Sequence, residues 1–190
     1  MTKRQGKSTN KLAIFDNEDV LEFLNNAKTR TNQVRTFMMV AFGLHPENLR
    51  RLKQTDITLT AEMGIIQFKR AKNQTPRREL IPLHQAKAIL DVVKRGKLGA
   101  DNSRFIQICA EQGKTLKRYG TPPVSPMTLR HTAILNIMKA NNFDWFISAE
   151  KAGCKPETIR KNYVDLDQYQ KIKGGDYKQP LDLTKFEFME

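Results

Sequence analysis

The sequence predicts an α+β fold, mostly helical with a small antiparallel β-sheet set into the middle of the chain. Apolar residues recur at helical spacing over residues 18–53, 84–94 and 125–163. Between residues 57 and 81 they give way to short β-branched runs separated by turn residues. Proline or a small polar residue opens several of the helical segments, and glycine closes them.

Taken in order, residues 1–11, MTKRQGKSTNK, read as a flexible basic arm able to lie along a phosphate backbone. A first helix is expected from Glu18 to Lys28, capped by Asp16 or Asn17, with Val20, Leu21, Phe23, Leu24 and Ala27 as its apolar face. A second, from Asn32 to Phe42, carries Val34, Phe37, Met38, Val40, Ala41 and Phe42 and ends at Gly43. The third opens at Pro46, turns Leu49 and Leu52 inward and Arg50, Arg51 and Lys53 outward, and stops at Thr55-Asp56. His45, in the short link before it, reads in isolation as a cap or a surface residue.

Strands are expected at Ile57–Leu59, Ile65–Lys69 and Glu79–Ile81, the last two joined by the hairpin connection RAKNQTPRR. Lys69, Arg70, Lys72, Arg77 and Arg78 make this a basic tip, suited to a DNA groove or backbone and equally to plain solvation. A fourth helix runs from His84 to Lys94, and residues 95–103 form a loop. Phe105–Cys109 reads as a strand or a short buried segment. Residues 111–123 are polar, with Lys114, Lys117 and Arg118 as a further basic patch.

The stretch from Ser125 to Tyr163 organises the rest. Ser125 caps, and Pro126 opens, a long helix bearing Leu129, Ile134, Ile137 and Met138. Arg130 lies near its start, and a guanidinium in an apolar element faces either solvent or an anion. Helices at Phe143–Ala152 and Pro156–Tyr163 follow, joined by Gly153-Cys154-Lys155 with Gly153 as a left-handed cap. A short glycine turn before a helix carrying Glu157, Thr158, Arg160, Lys161 and Asn162 is the pattern of a helix-turn-helix DNA reader, as it is of many helical pairs. Beyond residues 164–170 and a hinge at Lys173-Gly174-Gly175-Asp176 comes an apolar tail with Leu181, Leu183, Phe186, Phe188 and Met189. It either folds back on its own body or packs on a neighbour. The expected organisation is an arm at 1–11, one domain at 12–170 and a tail at 171–190.

Lys and Arg total 33 against 20 Asp and Glu, a net charge of +13. The last 27 residues hold six acidic and four basic side chains, so residues 1–163 carry 29 against 14, or +15. Such a field favours a polyanionic partner, nucleic acid first. Cys109 and Cys154 lie 45 residues apart without metal-ligand spacing, and no disulfide framework is implied. The charged start is not followed by an apolar segment, so no signal peptide is expected, and no apolar run is of membrane-spanning length. A soluble, cytoplasmic protein without membrane contact or bound metal is the expectation.

Four motifs then bear on function in their order: GLHPENLRRLKQTDI at 43–57, RAKNQTPRRELIPL at 70–83, MTLRHT at 127–132 and AGCKPETIRKNY at 152–163. Together they resemble the catalytic domain of the tyrosine recombinases, the phage integrase family, over about Leu12 to Tyr169. The resemblance implies that family's mostly helical catalytic-domain fold and a double-stranded DNA partner. It further implies strand cleavage through a 3′-phosphotyrosyl intermediate without metal, nucleotide or other cofactor. Tyr163 takes the place of the nucleophile, Arg130 that of the arginine in the His-x-x-Arg box, and Lys72 that of the lysine that protonates the leaving oxygen. Four positions depart from the pattern: His45 replaces the first arginine, Asn48 an acidic residue, Met127 the histidine of the box, and Cys154 the second histidine. Arg50, Arg51, Lys69, Arg70, Arg77, Arg78, Lys117, Arg118, Lys155, Arg160 and Lys161 are the candidate DNA contacts. A tail that docks on a neighbouring protomer is also a family habit, which implies a homo-oligomer on DNA. The expected role lies in DNA integration or recombination on a mobile element. The alternatives are a non-enzymatic DNA-binding regulator using the 143–163 segment, and a basic helical protein whose partner is RNA or another protein.

Overall fold

A computed structural model describes residues 14–68, 77–96, 98–99, 101–114, 116, 124–161, 163 and 180–190. The element order is α1 (Asn17–Asn25), α2 (Arg30–Phe42), α3 (Pro46–Arg51), a 3-10 turn (Gln54–Asp56), β1 (Ile57–Leu59), β2 (Met63–Phe68), β3 (Arg77–Pro82), α4 (Leu83–Lys94), α5 (Asn102–Gly113), α6 (Pro126–Ala140) and α7 (Trp145–Ala152). Residues 156–161 form a last helix, with Tyr163 helical just beyond it. The basic arm, Lys69, Arg70 and Lys72 of the hairpin tip, Lys117, Arg118, Asn162 and the 173–176 hinge lie outside the described residues.

Local chemistry accounts for most boundaries. The Asp16 carboxylate accepts the Asp19 amide at 2.8 Å and the Thr29 hydroxyl accepts that of Asn32 at 3.2 Å, so α1 and α2 each start on a side-chain cap. Ser125 and Thr128 exchange bonds of 3.2 and 3.3 Å in a reciprocal cap before α6. Gly43 and Gly153 end α2 and α7 in the left-handed conformation, with φ of 63° and 67°.

The segment 105–109 corrects the strand reading. Asp101 caps α5 through the Arg104 amide at 2.7 Å, and Phe105, Ile108, Cys109 and Gln112 are buried at a helical period. The expected 95–103 loop therefore ends at Asp101. The sheet is antiparallel in the order β1-β2-β3, with Ile57 opposite Ile66, and Ile65 opposite Leu80. Ile66, Phe68 and Ile81 turn inward onto α4 and the core, while Leu80 stays 65% exposed. At Gly64 any Cβ would lie 2.0 Å from that of Ala86, so glycine is what lets the sheet lie directly on α4.

α2 runs through the centre, packed along α6 and against α1 and α4. Its Phe37 and Met38 sit in one large apolar core with Phe23, Leu49, Ile66, Ile89 and Phe105. Residues 180–190 close this core from the same chain. Phe186 stacks on Phe37 at 5.6 Å between ring centres, and Phe188 meets Phe37 edge-on at 4.9 Å. Buried Gln85 donates to the carbonyls of Leu183 and Phe186 at 2.6 and 2.9 Å. The Leu181 amide bonds Asn136 at 2.6 Å, and that of Met189 bonds Gln33 at 2.8 Å. Of the two fates open to the tail, the single chain takes the first. A smaller cluster forms between α6, α7 and the last helix from Ile134, Met138, Ala149, Ala152, Ile159 and Tyr163. Among the described residues no helix is long and apolar enough to cross a membrane.

Candidate active site

The C-terminus of α2 is the anchor of the site. A helix end leaves carbonyl oxygens without intrahelical donors and carries the negative end of the helix dipole, so it attracts cations. Arg77, on β3, donates from Nη1 to the Phe42 carbonyl at 2.7 Å. Arg130, on α6, donates from Nη1 to the next carbonyl, that of Gly43. Two guanidiniums from distant parts of the chain are thus hung on neighbouring peptide units. Arg77 also donates from Nε to the Glu79 carboxylate, and its side chain is only 12% exposed.

Burial makes the Arg130 cation less favourable than usual, and Arg77 beside it works in the same direction. Ionised Cys154 or Tyr163 would work the other way, which sets both within electrostatic reach of the guanidinium. His45 stands at the exposed mouth of the site, its imidazole made less basic by partial desolvation and by Arg130. Its backbone amide donates to Asn48 Oδ1 at 3.0 Å, so Asn48 caps α3. His45, Pro46, Glu47, Arg50 and Asn102 line a cavity of about 310 Å³.

Tyr163 is 2% exposed, its ring packed in the small cluster. Burial pushes its phenol well above the ordinary tyrosine range; Arg130 opposes that shift and Cys154 adds to it. The hydroxyl meets Nδ1 of His131, with the two ring centres 5.5 Å apart. Half-buried Cys154 sits in the turn after α7, where its amide donates to the Ala149 carbonyl at 3.0 Å.

Arg130, Tyr163, His45 and Cys154 therefore come together as one group, joined by Arg77 and His131. Arg77 was read from the sequence as part of a DNA-facing tip, and His131 was not singled out. The signal for His131 was its place directly after Arg130 in MTLRHT. Lys72 lies outside the described residues, as do Lys69, Arg70, Lys117 and Arg118. Met127 is 45% exposed at the start of α6. Arg50 and Arg51 both bond Glu47, at 3.3 and 3.0 Å, on the exposed face of α3. Arg78, Lys155, Arg160 and Lys161 are exposed. No group of three metal-ligating side chains occurs among the described residues.

No protein-family model and no curated protein matches the sequence. The architecture does match solved structures. XerH site-specific recombinase bound to difH substrate, in a pre-cleavage complex, superposes with a TM-score of 0.66 at 17% identity, over 90% of this chain and 56% of that one. XerA recombinase gives 0.63 at 16% identity, over 85% and 64%. A lambda integrase(75–356) dimer bound to a COC' core site gives 0.56 at 16% identity, over 80% and 61%. The chain has the tyrosine-recombinase catalytic-domain fold and spans from just over half to just under two thirds of the length of these proteins.

Proposed function

We propose that the chain binds double-stranded DNA and acts on it as a recombinase, breaking and rejoining a strand through Tyr163. One observation carries the reading: the partly buried Arg130 guanidinium has Arg77, Cys154 and Tyr163 within electrostatic reach, and the two arginines bond adjacent carbonyls, a pairing of like charges that an anion would relieve. A phosphodiester is an anion suited to that setting. Arg130 binds one of its non-bridging oxygens and Arg77 supplies the second fixed guanidinium that His45, with its fading charge, does not. Tyr163 Oη attacks phosphorus, the bond to the 5′-oxygen breaks, and that oxygen leaves with a proton, for which Lys72 on the hairpin is the proposed donor. The 3′-phosphotyrosyl link conserves the energy of the phosphodiester, so rejoining needs neither metal nor nucleotide. The overall charge of +13 supports the polyanionic partner. Assembly of copies on DNA through the tail is part of this reading. It requires residues 180–190 to leave the face of α2 and α4 that they cover in the single chain.

The test is a labelled pool of nicked duplexes of randomised sequence, in which cleavage near the nick releases the short strand and traps the covalent product. A denaturation-resistant adduct that disappears in Tyr163→Phe is the expected result. DNA binding without an adduct would remove the cleavage step and leave a second reading, a DNA-binding regulator. The exposure of Arg160 and Lys161 on the last helix, with Lys155 exposed just before it, supports that alternative. It predicts sequence-specific binding that is lost on changing Arg160 or Lys161.

A further inference from the structure

The bond between His131 and Tyr163 is not explained by packing alone. The Tyr163 ring already has an apolar seat in the small cluster, and its hydroxyl reaches beyond that seat to His131. A buried hydroxyl needs one partner, and a backbone carbonyl or an amide would serve as well. The partner here is an imidazole, a group able to take a proton near neutral pH. The two positions at which the resemblance places histidines hold Met127 and Cys154, and neither is a useful proton acceptor. The other histidines are engaged elsewhere, His84 with the Phe186 carbonyl at 3.3 Å and His45 at the mouth of the site.

We infer that His131 is a catalytic residue, the acceptor of the Tyr163 phenol proton. The inference rests on the cleavage reading above. With its own proton on Nε2, the ring offers the Nδ1 lone pair to the hydroxyl. As the Oη–P bond forms and the P–O5′ bond breaks, the phenol proton passes to Nδ1 and the 5′-oxygen departs with a proton from its separate donor. On rejoining, the 5′-hydroxyl attacks phosphorus, the Oη–P bond breaks, and the imidazolium returns its proton to Oη. The ionisable groups within electrostatic reach of the pair are Arg130 on the same helix as His131 and, for Tyr163, Cys154 in the turn after α7, while Arg77 on β3 and His45 before α3 are within reach of Arg130. Burial and the Arg130 charge hold the imidazole below the ordinary histidine range, so it is in the accepting form at neutral pH.

The experiment follows the rate of adduct formation on the randomised nicked pool with the full chain, as a function of pH. The unmutated chain is expected to lose rate only as pH falls below the ordinary histidine range, where Nδ1 becomes protonated. His131→Asn offers an acceptor of similar reach that cannot take up a proton, and His131→Ala offers none. Both are expected to slow the adduct by roughly 100-fold or more, to lack the acidic limb and to bind the pool with unchanged affinity. Added imidazole should restore part of the rate to His131→Ala and none to Tyr163→Phe. An adduct that needs Tyr163 but forms in His131→Asn at the unmutated rate and pH profile would overturn this inference and leave the proposed function standing. No adduct from the unmutated chain, or one that survives Tyr163→Phe, would overturn both. Should either variant fail to fold, the pH profile of the unmutated chain decides: a rate that stays flat as pH falls well below the ordinary histidine range, with the chain still folded and bound to DNA, rejects His131.

Discussion

The large core and the small cluster around Tyr163 share α6 as a wall, and they are closed in opposite ways. The large core is sealed by the chain's own tail, two phenylalanines on Phe37 with the tail backbone pinned by Gln85, Asn136 and Gln33. The small cluster is sealed by Tyr163 itself, whose hydroxyl reaches out to an imidazole beside a guanidinium. A core that needs only stability can be roofed with inert aromatics. Where the roof carries the hydroxyl proposed to react, its outer edge is polar.

Substitutions can break that comparison from either side. Phe186→Ala should cost about 3 kcal/mol in denaturant-unfolding experiments, because it opens the seal over Phe37. A loss below about 1 kcal/mol would mean that the tail does not roof the core in solution. Gln85→Ala should cost about 2 kcal/mol, since the Leu183 and Phe186 carbonyls lose a buried donor together. Gly43→Ala should cost about 1 kcal/mol, chiefly through the left-handed backbone, because the added methyl would lie 3.5 Å from Ala133 Cβ, an ordinary contact. Tyr163→Phe keeps the ring in place and should cost roughly 1 kcal/mol or less, while abolishing any covalent adduct. A much larger loss would show that the hydroxyl bond is a main support of the small cluster.

The smallest effect is spectroscopic. One of the four tyrosines should stay un-ionised as pH rises past the ordinary value near 10, which absorbance at alkaline pH can follow. The stability given by the neutral phenol is complete below that value. It is lost as pH climbs from there toward the higher native value, because the unfolded chain ionises first.

Much of this was legible in the sequence where local chemistry sets the structure. The Ser125-Pro126 start, the left-handed Gly43 and Gly153 and the three-stranded sheet all follow from residues a few positions apart. The misreading at 105–109 came from a window too short to hold a helical period. Phe105, Ile108, Cys109 and Gln112 define the buried face only when Asp101 and Gln112 are read together with them. The group around Arg130 was half legible. Arg130, Tyr163, His45 and Cys154 could be placed from motif order, whereas Arg77 and His131 acquire their positions from contacts across 35 and 32 residues. Arginine in a basic hairpin reads as solvated until the carbonyl that receives it is known. Nor could the tail's seat be read, because it depends on three polar side chains from separate helices meeting one extended segment.

The two cations suspended from Phe42 and Gly43 share one consequence. The carbonyls that hold them are separated by a single peptide unit, the stiffest short spacer a polypeptide has. A tilt of α2 would carry both accepting carbonyls along as a unit, whereas acceptors on independent loops would drift apart. The attachment points of the two proposed anion-binding cations are therefore fixed by backbone geometry, whatever the segments that supply the side chains do.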